Sequence, residues 1–307
     1  MSNITAIMKY IYDIHLAVIN ENIATCKELL KDKNNINIRT SYNMTPLLYA
    51  CCGNNFEIIK LLIEYGANLN DSDNYNDTPL LTVCRTSCDL QIIKYLVENG
   101  ANIKAQNSLE STCVIIASAN QNCSIECLDY LIKQITLEDI ELFIKHTNKN
   151  NENCFFSACV AGNVNIMNYL LQYGFNVNEK NASGHTCLMC GFYYMQTNIR
   201  FYQNVSIIID FLIMNGYDIN SVNNHGENIL CIAMKGYHNF IGFSASMPEY
   251  FDKNEHTKIL NIAYEKAYDT FIYLVNKGAQ IQCPCYEVAK YLKFDDIAKY
   301  IQLHNKN

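Results

Sequence analysis

A single phrase recurs along this chain. The stretch 45–70, TPLLYACCGNNFEIIKLLIEYGANLN, returns at 78–104 as TPLLTVCRTSCDLQIIKYLVENGANIK. Thr45 and Thr78 lie 33 residues apart, and Gly66 and Gly100 lie 34 apart. A fixed period in this range means stacked supersecondary units, none of which can bury its apolar face alone. The period decides the architecture. It also limits the functional reading, because a stack of this kind presents a surface without saying to whom.

One unit reads as two helices. Thr45 is placed to cap a helix with its hydroxyl, and Pro46 sits at the first helical position, where its missing N–H costs nothing. Leu47, Leu48, Ala50 and Cys51 make a short first helix, which Gly53-Asn54-Asn55 breaks. Phe56, Ile58, Ile59, Leu61, Leu62 and Ile63 make a second helix, apolar on more than one face, and Gly66 closes it. The polar stretch from Asn68 to Asp77 is expected to be an extended loop or hairpin.

Thr45-Pro46-Leu47-Leu48, Ala50, Glu57 to Ile63 and Gly66-Ala67-Asn68-Leu69-Asn70 resemble the ankyrin repeat nearly position for position, with Leu48 where that family usually has His. The resemblance implies an all-α ankyrin-repeat solenoid: helix–turn–helix units with short β-hairpin fingers, capped at both ends. The units fall at about 1–38 (N-terminal cap, with the helical core 14–30), 39–71, 72–104, 105–147, 148–178, 179–220, 221–281 and 282–307 (C-terminal cap). The unit beginning at Thr112 is degenerate, has no closing Gly and runs into an extra short helix near Thr136. Two units carry insertions between their helices: about nine residues within 193–204 and about 29 within 237–266. The last unit follows Gly278 directly, has lost its finger and puts charge on its outer helix, as an end unit must.

Net charge is −7, and Arg39, Arg85 and Arg200 are the only arginines. Phosphate recognition needs a basic stripe, so nucleic acid is excluded as a partner and a protein with basic patches is favoured. The start MSNITAIMKYIYDIHLAV is interrupted by Lys9 and Asp13 and is too short to span a bilayer; the expectation is a cytoplasmic monomer, not bound to membrane. Of the 15 cysteines, Cys51, Cys84 and Cys159 stand where the first helix needs a small residue, and Cys113, Cys154 and Cys187 follow the capping position. They read as small buried hydrophobes and not as a disulfide framework. Cys187-x-x-Cys190 and Cys283-x-Cys285 lack a second pair at finger distance, so no metal and no cofactor is expected. Heavy Asn, Ile, Lys and Tyr usage without Trp is what A+T-rich coding DNA produces. With the insertion-bearing units, it makes the chain resemble the ankyrin-repeat proteins of large DNA viruses of the mimivirus kind.

No phosphate loop, His-Glu-x-x-His or Gly-x-Ser-x-Gly occurs, and the seven histidines fall in unrelated repeat positions. His15 matches the ankyrin histidine that bonds the backbone of the neighbouring loop; the resemblance gives it a structural role. Acidic pairs Glu138-Asp139 and Asp295-Asp296 sit early in expected helices, where the helix dipole accounts for them. The chain is thus expected to be a non-enzymatic scaffold that binds a protein through its concave face and finger tips. The alternative is a substrate adaptor for a ubiquitin ligase or other host machinery, for which no C-terminal box follows the cap. Candidate contacts are the tips Tyr42, Asn43, Asp73, Asn74, Tyr75, Asn76, His185, Asn224 and His225. Tyr42 and Tyr75 are equivalent; they are either binding anchors or an accident of a Tyr-rich composition. In the insertion, Phe240, Phe243, Met247, Pro248, Tyr250 and Phe251 are either a second contact surface or local packing against a lengthened helix.

Overall fold

Six first helices start on one device. In the computed structural model, which describes residues 13–136, 139–195, 199–245 and 253–304, the side chains of Thr45, Thr78, Thr112, Asn153, Thr186 and Asn228 each accept a backbone N–H of the helix that follows. Each satisfies a donor that the first turn leaves unpaired. The second helices use the same device one step later. Asn22, Asn55, Asp89, Ser124 and Asn163 accept from Thr25, Ile58, Ile92, Cys127 and Ile166. The tripeptide read as a helix breaker, Gly53-Asn54-Asn55, therefore also starts the next helix.

Four second helices end in a Schellman motif. The Gly66 N–H donates to Ile63 O and the Ala67 N–H to Leu62 O, both at 2.9 Å, with Gly66 at φ +92°. The same pair of bonds closes the helices before Gly100, Gly216 and Gly278. The next residue, Ala67, Ala101, Tyr217 or Ala279, is then turned into the core.

The chain divides into two compact units, Met1–Lys149 and Asn150–Asn307. In the first, the helices Asp13–Ile19, Pro46–Cys52, Pro79–Thr86 and Cys113–Ala119 pack in succession as an inner layer. Each carries its partner, Ile23–Leu29, Phe56–Glu64, Leu90–Glu98 or Ile125–Lys133, in an outer layer. The extra helix expected near Thr136 is Ile140–Ile144. In the second unit the inner layer is Cys154–Val160, Cys187–Tyr193, Ile229–Ala245 and Cys283–Tyr291. Its outer layer is Val164–Leu171, Ile199–Met214, Lys253–Asn276 and Asp295–His304. The cores are aliphatic and cysteine-rich, with Leu48, Ile58, Leu62, Leu81 and Ile93 fully buried in the first unit.

The fingers are tighter than the expected hairpins, and among the described residues none forms a strand. Each is closed by one bond from residue i to i+4: Thr40 to Met44, Asp73 to Asp77, Asn107 to Ser111, Asn181 to His185 and Asn223 to Glu227. Isolated bridges follow at Gln106–Thr112, Lys180–Thr186 and Val222–Asn228. Inside four of these loops the Asx oxygen of Asp73, Asn107, Asn181 or Asn223 accepts the N–H groups of residues i+2 and i+4. That local satisfaction removes the need for a ladder.

The described residues of both insertions lie largely in helices, as expected if they pack against lengthened helices. Within 193–204, Phe201 lies in the first turn of the 16-residue outer helix Ile199–Met214, is fully buried and meets Phe192 edge-on at 5.4 Å. It fills a notch made by Gly191, where an added Cβ would lie 2.0 Å from its ring. In 237–266 the inner helix runs on to Ala245, burying Tyr237 and Ile241, and Tyr237 Oη bonds Thr270 Oγ1 at 2.8 Å. The two insertions meet where Tyr202 stacks on Phe240 at 4.7 Å. Phe240 is therefore local packing. The side chains of Phe243, Met247, Pro248, Tyr250 and Phe251 lie outside the described residues, as do Met1–Tyr12 and Glu138.

Candidate protein-interaction surface

The finger tips are held by backbone bonds that leave side chains free. Tyr42 O accepts the Asn74 N–H at 3.3 Å, Tyr75 O the Ser108 N–H at 2.7 Å, and Leu109 O the Lys149 N–H at 3.0 Å. The residue after each, Asn43, Asn76 or Glu110, is left-handed at φ about +60°. This geometry projects Tyr42 and Tyr75, each 69% exposed, and Leu109, 54% exposed. Leu109 was not among the sequence candidates, yet its spacing of 34 from Tyr75 marks it as the next member of the row.

The polar candidates of this unit serve the framework. Asn43 Nδ2 donates to Ser72 O at 3.0 Å, and Asn74 Nδ2 to Ser41 O at 3.4 Å. Asp73 closes its own loop, and Asn76 supplies the left-handed turn. At the base of the second finger, Asp77 is buried and takes a bidentate pair from Arg85 at 2.7–3.0 Å and a bond from Asn107 at 3.1 Å.

In the second unit the tips line a polar groove of about 430 Å³ with Glu152, Tyr193, Tyr194, Glu227 and Lys235. His225 reaches it from an exposed tip. His185 is half-buried, 3.0 Å from Asn223 Nδ2, with its ring 5.8 Å from that of Tyr193. Burial pushes the His185 pKa down against the opposing charge of Glu227. Glu227 resists desolvation and stays below its ordinary value through bonds from Lys235 and Asn223. Asn224 is framework: its Nδ2 donates to Ala182 O at 3.0 Å, and its side chain presses on Gly184, where a Cβ would lie 2.3 Å from Asn224 Oδ1. The structure thus groups His185 and His225 in one groove and Tyr42 and Tyr75 in one row.

The comparisons follow from this frame. The family model described as ankyrin repeats (3 copies) matches residues 14–107, 87–181 and 114–202. The chain belongs to the ankyrin-repeat family. Among solved structures it is similar to the ankyrin repeat domain of Bcl-3, described as a unique member of the IkappaB protein family. That match has a TM-score of 0.52 and 20% identity, over 73% of this chain and 94% of that one. It is also similar to the human ASB11 ankyrin repeat domain, at a TM-score of 0.57 and 23% identity, over 73% and 92%. No curated protein matches.

The ankyrin histidine position behaves as the sequence implied. His15 is fully buried and its Nε2 lies 3.2 Å from Met44 O in the next finger. Cys190 Sγ lies 3.7 Å from Glu152, but burial and that carboxylate both push its thiol pKa up, so it stays protonated. The two motif cysteines diverge, Cys187 donating to Val177 O and Cys190 to Glu152. Among the described residues one group has metal-ligand geometry, and the sequence reading missed it: Cys88, Cys123 and Cys127, all buried. No described helix is long and apolar enough to cross a membrane.

Proposed function

We propose that the chain is a non-enzymatic scaffold that binds a partner protein through its finger tips. Ankyrin repeats serve protein–protein interaction in general, and the exposed row Tyr42, Tyr75 and Leu109 carries the reading here. Large side chains held on a fixed backbone lose little entropy on binding, and Tyr is enriched among binding hot spots. The charge of −7 favours a partner with a basic patch. Fourteen described cysteines are thiols outside any disulfide, thirteen of them buried, which supports residence in a reducing compartment. The A+T-driven residue usage supports a viral origin, and with it a host protein as the occupant.

The test is quantitative recovery of saturable partners on the tagged full chain. The variant Tyr42→Ala/Tyr75→Ala/Leu109→Ser is compared with wild type and with a His225→Ala variant. Loss of a partner only from the triple variant supports the tip row. Equal recovery on all three chains removes it.

A further inference from the structure

The cysteines at the junction of the units at 78 and 112 are not interchangeable with the other buried thiols. Cys88 Sγ and Cys127 Sγ are 3.6 Å apart, and both lie within 4.8 Å of Cys123 Sγ. The three come from two repeats and three local structures: the turn after Pro79–Thr86, the turn before Ile125–Lys133, and the first turn of that helix. We propose that Cys88, Cys123 and Cys127 form a thiolate site for a soft closed-shell metal cation, Cu(I) or Zn(II), clasping one repeat to the next.

Two local departures from the repeat build this site. Cys88 is left-handed, at φ 54°. Asn54 and Gly162 hold the same turn position in other repeats, at φ 55° and 70°. A cysteine gains nothing from that conformation, but there its side chain turns inward, to 5% exposure. The second departure is a longer turn in the degenerate repeat, Asn120 to Cys123 before the cap Ser124, where 45–70 uses only Gly53 and Asn54. Asn120 anchors this turn with Nδ2 within hydrogen-bond reach of Cys84 O at 2.9 Å, Arg85 O at 3.0 Å and Thr86 O at 3.3 Å. The anchored turn delivers Cys123 onto Cys88.

The geometry fits the cation. A metal–sulfur bond of about 2.3 Å gives sulfur–sulfur edges of about 3.8 Å in a tetrahedron and about 4.0 Å in a planar triangle. One observed edge is 3.6 Å and the other two are within 4.8 Å, a range that includes these values. Thiolate donors select Cu(I) and Zn(II) over harder cations. Three donors sealed from water suit three-coordinate Cu(I). Zn(II) takes a fourth, for which the nearest candidate in sequence is the buried Cys84, one turn before Cys88 and outside the group of three. Each thiol that ligates releases its proton to solvent, so binding weakens as pH falls.

The experiment is anaerobic titration of the reduced full chain with Cu(I), and separately with Zn(II), against a chromophoric chelator. Helix content is followed by circular dichroism. The variants are Cys88→Gly, which suits the left-handed turn, Cys123→Ala, and Cys231→Ala as a control from the other close thiol pair, Cys231 with Cys285 at 3.3 Å. We expect one tight equivalent of at least one of the two cations and a rise in its presence of the unfolding temperature. Folded Cys88→Gly and Cys123→Ala should bind at least about tenfold more weakly, while Cys231→Ala is unchanged. A tight Zn(II) equivalent further weakened by Cys84→Ala identifies zinc with four thiolates, and a Cu(I) equivalent indifferent to that change identifies copper with three. Absence of a tight equivalent for both cations overturns the site. So does binding that survives in folded Cys88→Gly and Cys123→Ala but is lost in Cys231→Ala.

Discussion

Asn178 bridges to Gly216 across two repeats: its Nδ2 donates to Gly216 O at 2.8 Å while its Oδ1 accepts the Asp218 N–H at 2.7 Å. Asn70 makes the same clamp on Gly100 and Asn102, and Asn220 on Gly278 and Gln280. Each Asn stands four residues after the Gly that closes its own second helix. In the repeat that closes at Gly100 this position is Lys104, which reaches Asp139 at 2.6 Å instead. The next unit has no closing Gly to clamp.

Asn178→Ala removes both bonds and should lower stability by about 1–3 kcal/mol. Urea titration checks this through the midpoint at unchanged slope. Asn178→Asp keeps the acceptor alone and should fall between wild type and Ala. Equal stability of all three chains would show that the clamp contributes nothing.

Gly191→Ala should be among the most damaging small changes in the chain. The added methyl would overlap the Phe201 ring, which is itself held edge-on to Phe192. Overpacking of this kind costs about 1–3 kcal/mol or more. Phe201→Leu alone should destabilise by opening a cavity, yet the double variant Gly191→Ala/Phe201→Leu should be more stable than the sum of the two. Strict additivity in thermal unfolding would show that the two sites do not share this notch.

Stability should decline below about pH 6.5 because His15 and His185 have lowered pKa values in the folded chain. Burial is the main cause in both, and bonds to Met44 and Ile38 oppose it at His15. The unfolded chain takes up these protons first as pH falls, so the loss begins at the unfolded value and continues down to the folded one. Above that window the contribution is complete. Unfolding midpoints from pH 7.5 to 5 should show a shallower slope in His15→Gln than in wild type.

Brief trypsin treatment should cut first after Lys145 or Lys149, both exposed and outside the helices, close to the sequence boundary between the two units. Lys60 and Lys94, inside regular helices, should be cut later. First cleavage within 45–70 would contradict the unit assignment. Residues 237–245 should also resist, since they are helix and bury Tyr237 and Ile241.

The parts of the fold that were legible rest on one-dimensional chemistry. Thr-Pro starts, apolar helices and closing glycines recur at a fixed interval, and they form the elements they suggest. The caps Asn55, Asp89 and Asn163 were overlooked because each lies in a stretch that breaks one helix while starting another. The loop-closing Asp73, Asn107, Asn181 and Asn223 all lie five residues before the next cap, a regularity hidden by the abundance of Asn. The fate of the insertions needed three dimensions: Tyr202 and Phe240 are 38 residues apart and meet only when their repeats stack. The Cys88, Cys123 and Cys127 group stayed hidden for the same reason. Its spacing is set by the repeat period, and metal motifs are sought at finger spacing.

At Tyr42 and Tyr75 the main-chain carbonyl joins the fingers while the ring takes no share in that bond. Under the proposed function, folding and recognition are thus written on different atoms of the same residue. A lineage can exchange one aromatic tip for another side chain, and so exchange partners, without renegotiating the architecture that displays it.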